Sequence, residues 1–191
     1  GNEIIFWNVA VDKKDGKVKE NFKCDNCGVS LKKTDVERST KKIYDSALQK
    51  TIEMAKQVPV LINYSVGRKR YEKKPDEYDL RLIKKIEDME IPYWFPTNKI
   101  PKGDKTVEPL RIGITHVHHF YTKANLLVIS NFLNKILLIS DKEIQNSLKL
   151  IITSLLIYSS KLSRWRPGNR SGPLSGTLYV SSTIMPIEAY T

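Results

Sequence analysis

The sequence is poor in cysteine and has no long apolar run. Two cysteines among 191 residues cannot build the disulfide scaffold of a small secreted domain, and the sequence has no apolar signal segment. The longest apolar stretches, residues 126–139 and 148–158, are interrupted by polar residues. Both are shorter than the ~20 residues that span a bilayer. These features predict a cytoplasmic protein with no membrane partner.

The familiar catalytic motifs are also missing. The sequence contains no G-x-S-x-G nucleophile turn, no H-E-x-x-H zinc motif, no Walker loop and no dinucleotide-binding G-x-G-x-x-G. Its carboxylates are spread among lysines instead of being paired as an acid and a base. We therefore expect no catalytic residues here and no catalysis by this chain alone.

Basic residues, by contrast, are abundant. Lysine and arginine total 32 against 21 acidic residues, which gives a net charge of +11 and a pI near 9.5. This balance favours a polyanionic partner, with nucleic acid first. The alternative is a solvated lysine-rich surface, and residues 13–42 fit that alternative because ten basic residues are mixed there with five acids.

The apolar pattern predicts an α+β fold with two β-hairpins in the first half of the chain. Residues 4–23 have strand-forming runs on both sides of Asp15-Gly16, which favours a β-hairpin that leads into the first cysteine. Residues 60–73 repeat the pattern around Gly67, so a second hairpin with a basic tip is expected.

Apolar spacings of three and four residues predict four helices, the last two forming a helical hairpin. They span about residues 39–56, 76–91, 122–139 and 140–162. Asp76 and Thr122 are expected as N-caps, and Ser140 with Glu143 fits a capping box. Residues 176–187 return to strand composition and predict a terminal strand.

These elements predict four segments. They are a β-hairpin with a zinc-ribbon-like knuckle at 1–38, an α/β segment at 39–91, a proline-rich connector at 92–112, and a helical hairpin with an Arg/Gly loop and a terminal strand at 113–191. The connector, with four prolines and scattered charge, is the expected domain boundary.

Cys24 and Cys27 have the spacing of a zinc knuckle. Two thiolates three positions apart, followed by Gly28, can reach one metal ion while backbone amides point at sulfur. Structural zinc needs four ligands, so the pair is half of a site, and we expect an upstream Cys-x-x-Cys before Ile4 in the natural protein. The alternative is a pair of free thiols in a β-turn.

His116, His118 and His119 could present two imidazoles on one face of a strand, which is a workable metal geometry. Asp104 and Glu108 are the nearest candidate carboxylates in the sequence. Structural histidines at the start of a helix, or a single phosphate contact, are the favoured interpretation.

Residues 164–172, called the Arg/Gly loop, form the best candidate for contact with a polyanion. They hold three arginines, a tryptophan and two glycines, and no acid occurs from residue 144 to 187. Arginine binds phosphate bidentately, tryptophan stacks on bases, and glycine permits close backbone approach. The predicted DNA-contacting residues are Lys161, Arg164, Trp165, Arg166 and Arg170, with Arg68 and Arg70 in the second hairpin as a weaker candidate. The alternative is a helix end whose cations compensate the helix dipole while Trp165 packs in the core.

Several strings resemble bacterial and archaeal adenine-specific (N6) DNA methyltransferases over nearly the whole chain. The matching strings are K-Q-V-P-V-L-I-N-Y-S (56–65), Y-E-K-K-P-D-E-Y-D (71–79), I-P-Y-W-F-P-T (91–97), H-V-H-H-F-Y-T-K (116–123) and S-G-T-L-Y-V (175–180). Ala124 departs from the family, in which an arginine is expected after Y-T-K.

The resemblance implies a segment between two functional motifs of a larger enzyme. In the family, a glycine-rich S-adenosylmethionine motif precedes this region and an Asp-Pro-Pro-Phe-type motif follows it, and neither occurs here. A first Cys-x-x-Cys also precedes the match in that family, in line with the half zinc site of Cys24 and Cys27.

The expected function is therefore a DNA-recognition or scaffold segment of an S-adenosylmethionine-dependent adenine methyltransferase, in a restriction-modification or related setting. Its partners would be double-stranded DNA and the remaining methyltransferase domain, and the parent enzyme would flip the target base. The alternative is a stand-alone zinc-ribbon module that binds nucleic acid or protein without catalysis. A metal hydrolase built on the histidines is a third, less favoured hypothesis.

Overall fold

The computed structural model describes residues 2–168, 171–174 and 176–186. The described residues form a mixed α+β fold, as the sequence predicts. The helices are α1 (Phe6–Ala10), α2 (Glu77–Asp88), α3 (Val107–Arg111), α4 (Lys123–Leu137) and α5 (Lys142–Leu156), and the strands are β1 (Phe22–Lys23), β2 (Ser30–Leu31), β3 (Thr40–Asp45), β4 (Lys50–Ala55), β5 (Ile62–Val66) and β6 (Lys69–Lys73). Within these residues the strands pair into three two-stranded antiparallel sheets, β1–β2, β3–β4 and β5–β6. None of the described helices has the length and apolar character to cross a membrane.

The first strand of the expected N-terminal hairpin is instead helix α1. Phe6 packs edge-on against Phe22 with ring centroids 5.8 Å apart, and Ala10, four residues along, is fully buried. A spacing of four places both on one helical face, which the β-branched composition of this segment conceals. Where the two strands of the hairpin were expected to pair, the described residues form a single β-bridge, between Val11 and Val18.

The helix expected at 39–56 is also wrong, because this segment forms the β3–β4 hairpin. Ile43 lies directly opposite Ile52, and exposure alternates along β3. The apolar residues of this segment fit both a helical and a strand period, and the cross-strand isoleucine pair favours the strand. Gln49, with a φ of 52°, completes the turn.

The second predicted β-hairpin is the β5–β6 sheet, and α2 follows it as expected. β5 and β6 pair around the turn at Gly67, and Tyr64 stacks on Tyr71 across the sheet with centroids 5.5 Å apart. Asp76 caps α2 by accepting a hydrogen bond from the Asp79 amide at 3.0 Å. The cap satisfies an amide that the first helical turn leaves without a partner.

Helices α4 and α5 lie in the region of the predicted helical hairpin, with different ends. Thr122 caps α4 as expected, but the N-cap of α5 is Asp141, not Ser140, and its carboxylate accepts from the amides of Glu143 and Ile144. The last helix ends at Leu156, six residues before the expected end at Leu162. The Asp141 carboxylate is a stronger acceptor than the neighbouring hydroxyl, and it moves the start of the helix by one residue.

The terminal strand expected at 176–187 is not formed within the described residues 176–186. Ile184 makes an isolated bridge to Arg164. Pro186 lacks a backbone N–H and cannot extend the ladder.

Met54, Ile100, Ile114 and Val180 form the buried core cluster. These residues come from β4, the proline-rich connector, the segment before the histidines and the C-terminal segment. Gly113 permits the close packing, because a Cβ there would lie 2.2 Å from the Glu53 carbonyl oxygen and its φ is +83°. The predicted division of the chain into segments stays a prediction.

Candidate nucleic-acid interface and histidine cluster

Backbone hydrogen bonds hold together the two ends of the Arg/Gly loop, residues 164–168 and 171–172. Arg164 and Gly172 exchange backbone hydrogen bonds of 3.1 and 3.0 Å, and the Trp165 amide donates to the Thr183 carbonyl at 2.9 Å. Inside the loop, the Arg166 amide donates to the Ser171 hydroxyl at 2.9 Å. These bonds present the Arg166 side chain, which is exposed, from a braced backbone.

Two of the predicted DNA-contacting residues are buried. Trp165 is 6% exposed and packs edge-on against Trp7, with ring centroids 4.7 Å apart. Lys161 is 7% exposed, and burial, with a smaller effect of the Lys41 charge, lowers its pKa to about 8. Neither side chain is presented to a partner at the surface. For Trp165, the structure agrees with the alternative interpretation, in which the tryptophan packs in the core.

The N-terminal turn packs tightly against the loop. A Cβ at Gly16 would lie 2.7 Å from Cδ of Pro167 and 3.4 Å from the Trp165 ring, and Gly16 has a φ of +72°. Only glycine fits this contact without movement of one segment. Lys13, three residues before Gly16, lies beside the loop, with its ammonium 5.6 Å from the Trp7 ring centroid.

Arg166, Arg70 and Lys13 line one cleft of about 300 Å³. The two arginines come from separate segments that the sequence singled out, the Arg/Gly loop and β6. Glu72 also lines the cleft, and its carboxylate accepts a hydrogen bond from Asn63 at 3.2 Å. The cleft therefore combines three cationic side chains with one carboxylate.

The other predicted contact residues lie in different positions. Arg164 is partly buried, and burial together with the neighbouring Arg166 charge lowers its pKa. Arg68 is exposed at the hairpin tip but does not line the cleft. Arg170 lies outside the described residues. The sequence did not single out Lys13, because its mixed-charge surroundings gave no signal for it.

The cysteine pair adopts a knuckle-like turn between β1 and β2. Cys24 is buried and Cys27 exposed, and the Gly28 amide donates to the Cys24 carbonyl at 2.9 Å. Hydrogen bonds from the backbone amides of Asn26 and Cys27 lower the pKa of the Cys24 thiol. These amides favour a thiolate, as a metal ligand requires. Within the described residues no third ligand completes a metal site at the pair.

His118 and His119 converge on a carboxylate that the sequence did not indicate. Their Nε2 atoms lie 2.9 and 2.8 Å from Oδ2 of Asp45. Asp104 and Glu108, the candidates from the sequence, are not part of this cluster. Asp45 was hidden because it lies inside a segment expected to be helical and more than 70 residues from the histidines.

His118 and His119 occupy a 3-10 turn, Val117–Phe120, and His116 precedes it in an extended conformation that bridges to Lys99. This agrees with the interpretation that they lie at the start of a helix, because α4 follows directly. The Thr115 amide donates to Nδ1 of His119 at 3.2 Å, and Nδ1 of His116 lies 2.9 Å from the Thr115 hydroxyl. The three imidazoles are buried together.

The cluster holds an ionised carboxylate against imidazoles. Burial alone would raise the pKa of Asp45, but hydrogen bonds from His119 and His118 outweigh it and hold the pKa at about 2. Burial lowers the pKa of His119, so its neutral form is favoured near pH 7. In this state each Nε2–H donates to Asp45.

No protein-family model, curated protein or solved structure matches this chain. The resemblance to adenine methyltransferases therefore stays a prediction from the sequence.

Proposed function

We propose that the chain is a DNA-binding segment and that the cleft formed by Lys13, Arg70 and Arg166, the basic cleft, contacts the phosphate backbone. One observation carries this proposal. Two arginine-bearing segments, separated by more than 90 residues, meet at one surface together with a lysine from a third segment. Convergent cations in a cleft raise the local potential more than the same charges scattered over a surface.

The chemistry of the cleft fits phosphate. An arginine fork binds two phosphate oxygens, and lysine adds a mobile point charge. The loop backbone is braced by hydrogen bonds to residues 172 and 183, so Arg166 loses little backbone entropy on binding. Glu72 repels phosphate from its side of the cleft, so the DNA strand would follow the side that carries the cations.

Double-stranded DNA is the proposed partner. The net charge of +11 extends the attraction beyond the cleft, and the buried Trp165 is not available to stack on unpaired bases. In the parent protein, an adenine methyltransferase, other parts of the chain would bind S-adenosylmethionine and perform methyl transfer. This segment would hold the duplex in its basic cleft.

The helical hairpin provides a surface for the remaining methyltransferase domain. Ile144, Ile151 and Leu155 share one face of α5 and are exposed. Leu138, in the turn between the helices, is also exposed. Apolar residues clustered on one helical face are typical of a protein interface.

A stand-alone zinc-ribbon module is the second candidate, and the Cys24 knuckle favours it. The amides directed at its sulfur suit zinc bound through Cys24 and Cys27, with further ligands from upstream residues. The coding sequence on both sides separates the candidates. A glycine-rich cofactor motif upstream and an Asp-Pro-Pro motif downstream favour the methyltransferase, whereas stop codons favour the module.

The basic cleft is tested by replacing Lys13, Arg70 and Arg166 together with glutamine. A matched control replaces three exposed lysines outside the cleft, Lys84, Lys102 and Lys105, and loses the same charge. Affinity for a 30-base-pair duplex is measured by fluorescence anisotropy from about 50 to 200 mM salt.

We expect the cleft variant to bind at least ~10-fold more weakly at low salt, with the salt slope reduced by about 2 to 3. The control variant should lose less than ~3-fold, because dispersed charges contribute only at long range. Circular dichroism verifies folding of both. Equal losses in affinity and slope for the two variants would rule out the cleft as the contact surface.

A further inference from the structure

We propose that Asp45, His118 and His119 form a binding site for a divalent transition metal ion, with Zn²⁺ as the expected ion. The proposal is independent of DNA binding and of the cysteine pair. Its three ligand atoms, one carboxylate oxygen and two imidazole nitrogens, lie within 4.8 Å of one another. A metal ion bound by three such atoms needs only small movements of the side chains.

The donor set selects the class of metal. Imidazole nitrogens suit zinc, copper, nickel and iron, whereas magnesium and calcium prefer sites made of oxygen atoms alone. Two histidines and one carboxylate occur at both zinc and iron sites, with the remaining positions open to water.

The surroundings enclose the site. His118 and His119 are 7% and 5% exposed, and the Phe95 ring lies 5.6 Å from the His118 ring. The His116 ring lies 5.2 Å from that of His119. Burial lowers the local dielectric constant and strengthens the attraction between the Asp45 carboxylate and a cation.

Hydrogen bonds alone leave one atom of the cluster unsatisfied. Nδ1 of His118 is buried and has no hydrogen-bond partner within the described residues, although the other His118 nitrogen contacts Asp45. A buried polar atom without a partner is costly and is a common sign of a bound ion or water molecule. Metal binding at Nε2 does not itself satisfy Nδ1, and a water molecule there would complete the arrangement.

Metal binding requires a change of tautomer in both rings. Each Nε2 must lose its proton to coordinate, so the proton moves to Nδ1. At His119 the Thr115 hydroxyl, 3.4 Å from Nδ1, can accept a hydrogen bond from the new Nδ1–H, while the Thr115 amide loses its acceptor. At His118 none of the described residues places an acceptor at Nδ1. We therefore expect micromolar affinity, ~10 to 100-fold weaker than at a fully supported site.

The test uses the full chain with Cys24→Ser and Cys27→Ser, so that the cysteine pair cannot bind the added metal. ZnCl₂ and MgCl₂ are titrated separately by calorimetry, and Tm is followed in parallel. We expect one Zn²⁺ per chain, no Mg²⁺ binding, and a Tm increase of about 5 to 10 °C at 100 times Kd.

Ligand variants assign the site. His118→Gln and Asp45→Asn should each weaken Zn²⁺ binding more than ~100-fold, since loss of a ligand exceeds loss of a supporting residue. His116→Gln, in the adjacent ring, should bind as the parent does. With Co²⁺, the visible bands should appear without a thiolate charge-transfer band.

Two results would overturn the proposal. The first is a Kd above about 1 mM for Zn²⁺ in the cysteine-free chain. The second is Zn²⁺ binding that is unchanged in the His118→Gln variant. This variant tests the proposal even if Asp45→Asn fails to fold.

Discussion

Among the single residues, Lys161 shows how burial reverses a prediction from the sequence. In the sequence it stands three positions before an arginine cluster and resembles a phosphate contact. In the structure its amide donates to the Phe120 carbonyl at 2.7 Å and its side chain is buried. A buried ammonium lowers the stability of the fold as long as it stays protonated.

Lys161 should make stability depend on pH. Its pKa falls from 10.5 to about 8 in the folded chain, so above pH 8 the unfolded chain binds more protons and the free energy of unfolding rises with pH. Between pH 7 and 9.5 we expect a contribution of about 2 kcal/mol. Lys161→Met should remove this rise and be more stable than the parent at pH 7.

Urea unfolding of both proteins at the two pH values measures the effect. The comparison with the variant is needed because Cys24, whose pKa is lowered, and Tyr121, whose pKa is raised, also change protonation in alkaline solution. Parallel pH profiles for the parent and the Lys161→Met variant would contradict the prediction.

At the level of elements, α4 and α5 depend on one buried glutamine. Nε2 of Gln145 lies 3.3, 3.3 and 3.1 Å from the carbonyl oxygens of Ile136, Leu137 and Ile139. These carbonyls belong to the end of α4 and the residues after it, beyond the i→i−4 amides of the helix. The Ile136 carbonyl also accepts from the Ile139 amide at 3.1 Å, so the glutamine matters most for Leu137 and Ile139. Lys149 donates to the glutamine oxygen at 3.0 Å.

Gln145→Ala should therefore cost about 1 to 3 kcal/mol, because buried carbonyls lose their donor. Asn146→Ala, at the adjacent exposed position, is the control and should change stability by less than ~0.5 kcal/mol. Thermal and urea unfolding measure both. A Gln145→Ala variant as stable as the control would mean that water satisfies the carbonyls equally well.

The elements also show where sequence patterns are sufficient. Asp76 and Thr122 were predicted as caps because capping needs only a suitable residue next to a helical pattern. β3–β4 was not predicted, because Ile43 and Ile52 are nine residues apart and fit two periods. The partner across the sheet decides between them, and a local pattern contains no information about that partner.

At the level of the whole molecule, the C-terminal segment completes the core. Val180 packs with Met54 and Ile114, and its carbonyl accepts a hydrogen bond from Arg38 at 3.1 Å. The core therefore requires contacts between residues more than 100 positions apart.

Val180→Ala should destabilise the whole chain by about 1 to 3 kcal/mol, because it leaves a cavity in this core. Val66→Ala, at a position that is 62% exposed, is the matched control and should cost less than ~0.5 kcal/mol. Urea unfolding followed by tryptophan fluorescence measures the difference. Equal midpoints would show that the C-terminal segment adds little to the core.

For the basic cleft, too, the sequence predicts some of the residues, whereas their meeting depends on tertiary structure. Arg70 and Arg166 were found because arginines beside glycine or in a hairpin are visible in the sequence. Their meeting with Lys13 depends on packing at Gly16, and that packing depends on tertiary contacts. Asp45 was missed for the same reason.

The two oxygens of Asp45 imply an order of folding. Oδ1 accepts from the Ala47 and Leu48 amides within a four-residue turn, whereas Oδ2 receives two imidazoles from 73 and 74 residues away. A hairpin closes in microseconds. Closing the much longer loop between Asp45 and the histidines costs more entropy. The turn therefore orients the carboxylate early, and the histidines dock onto an acceptor that already has a fixed direction.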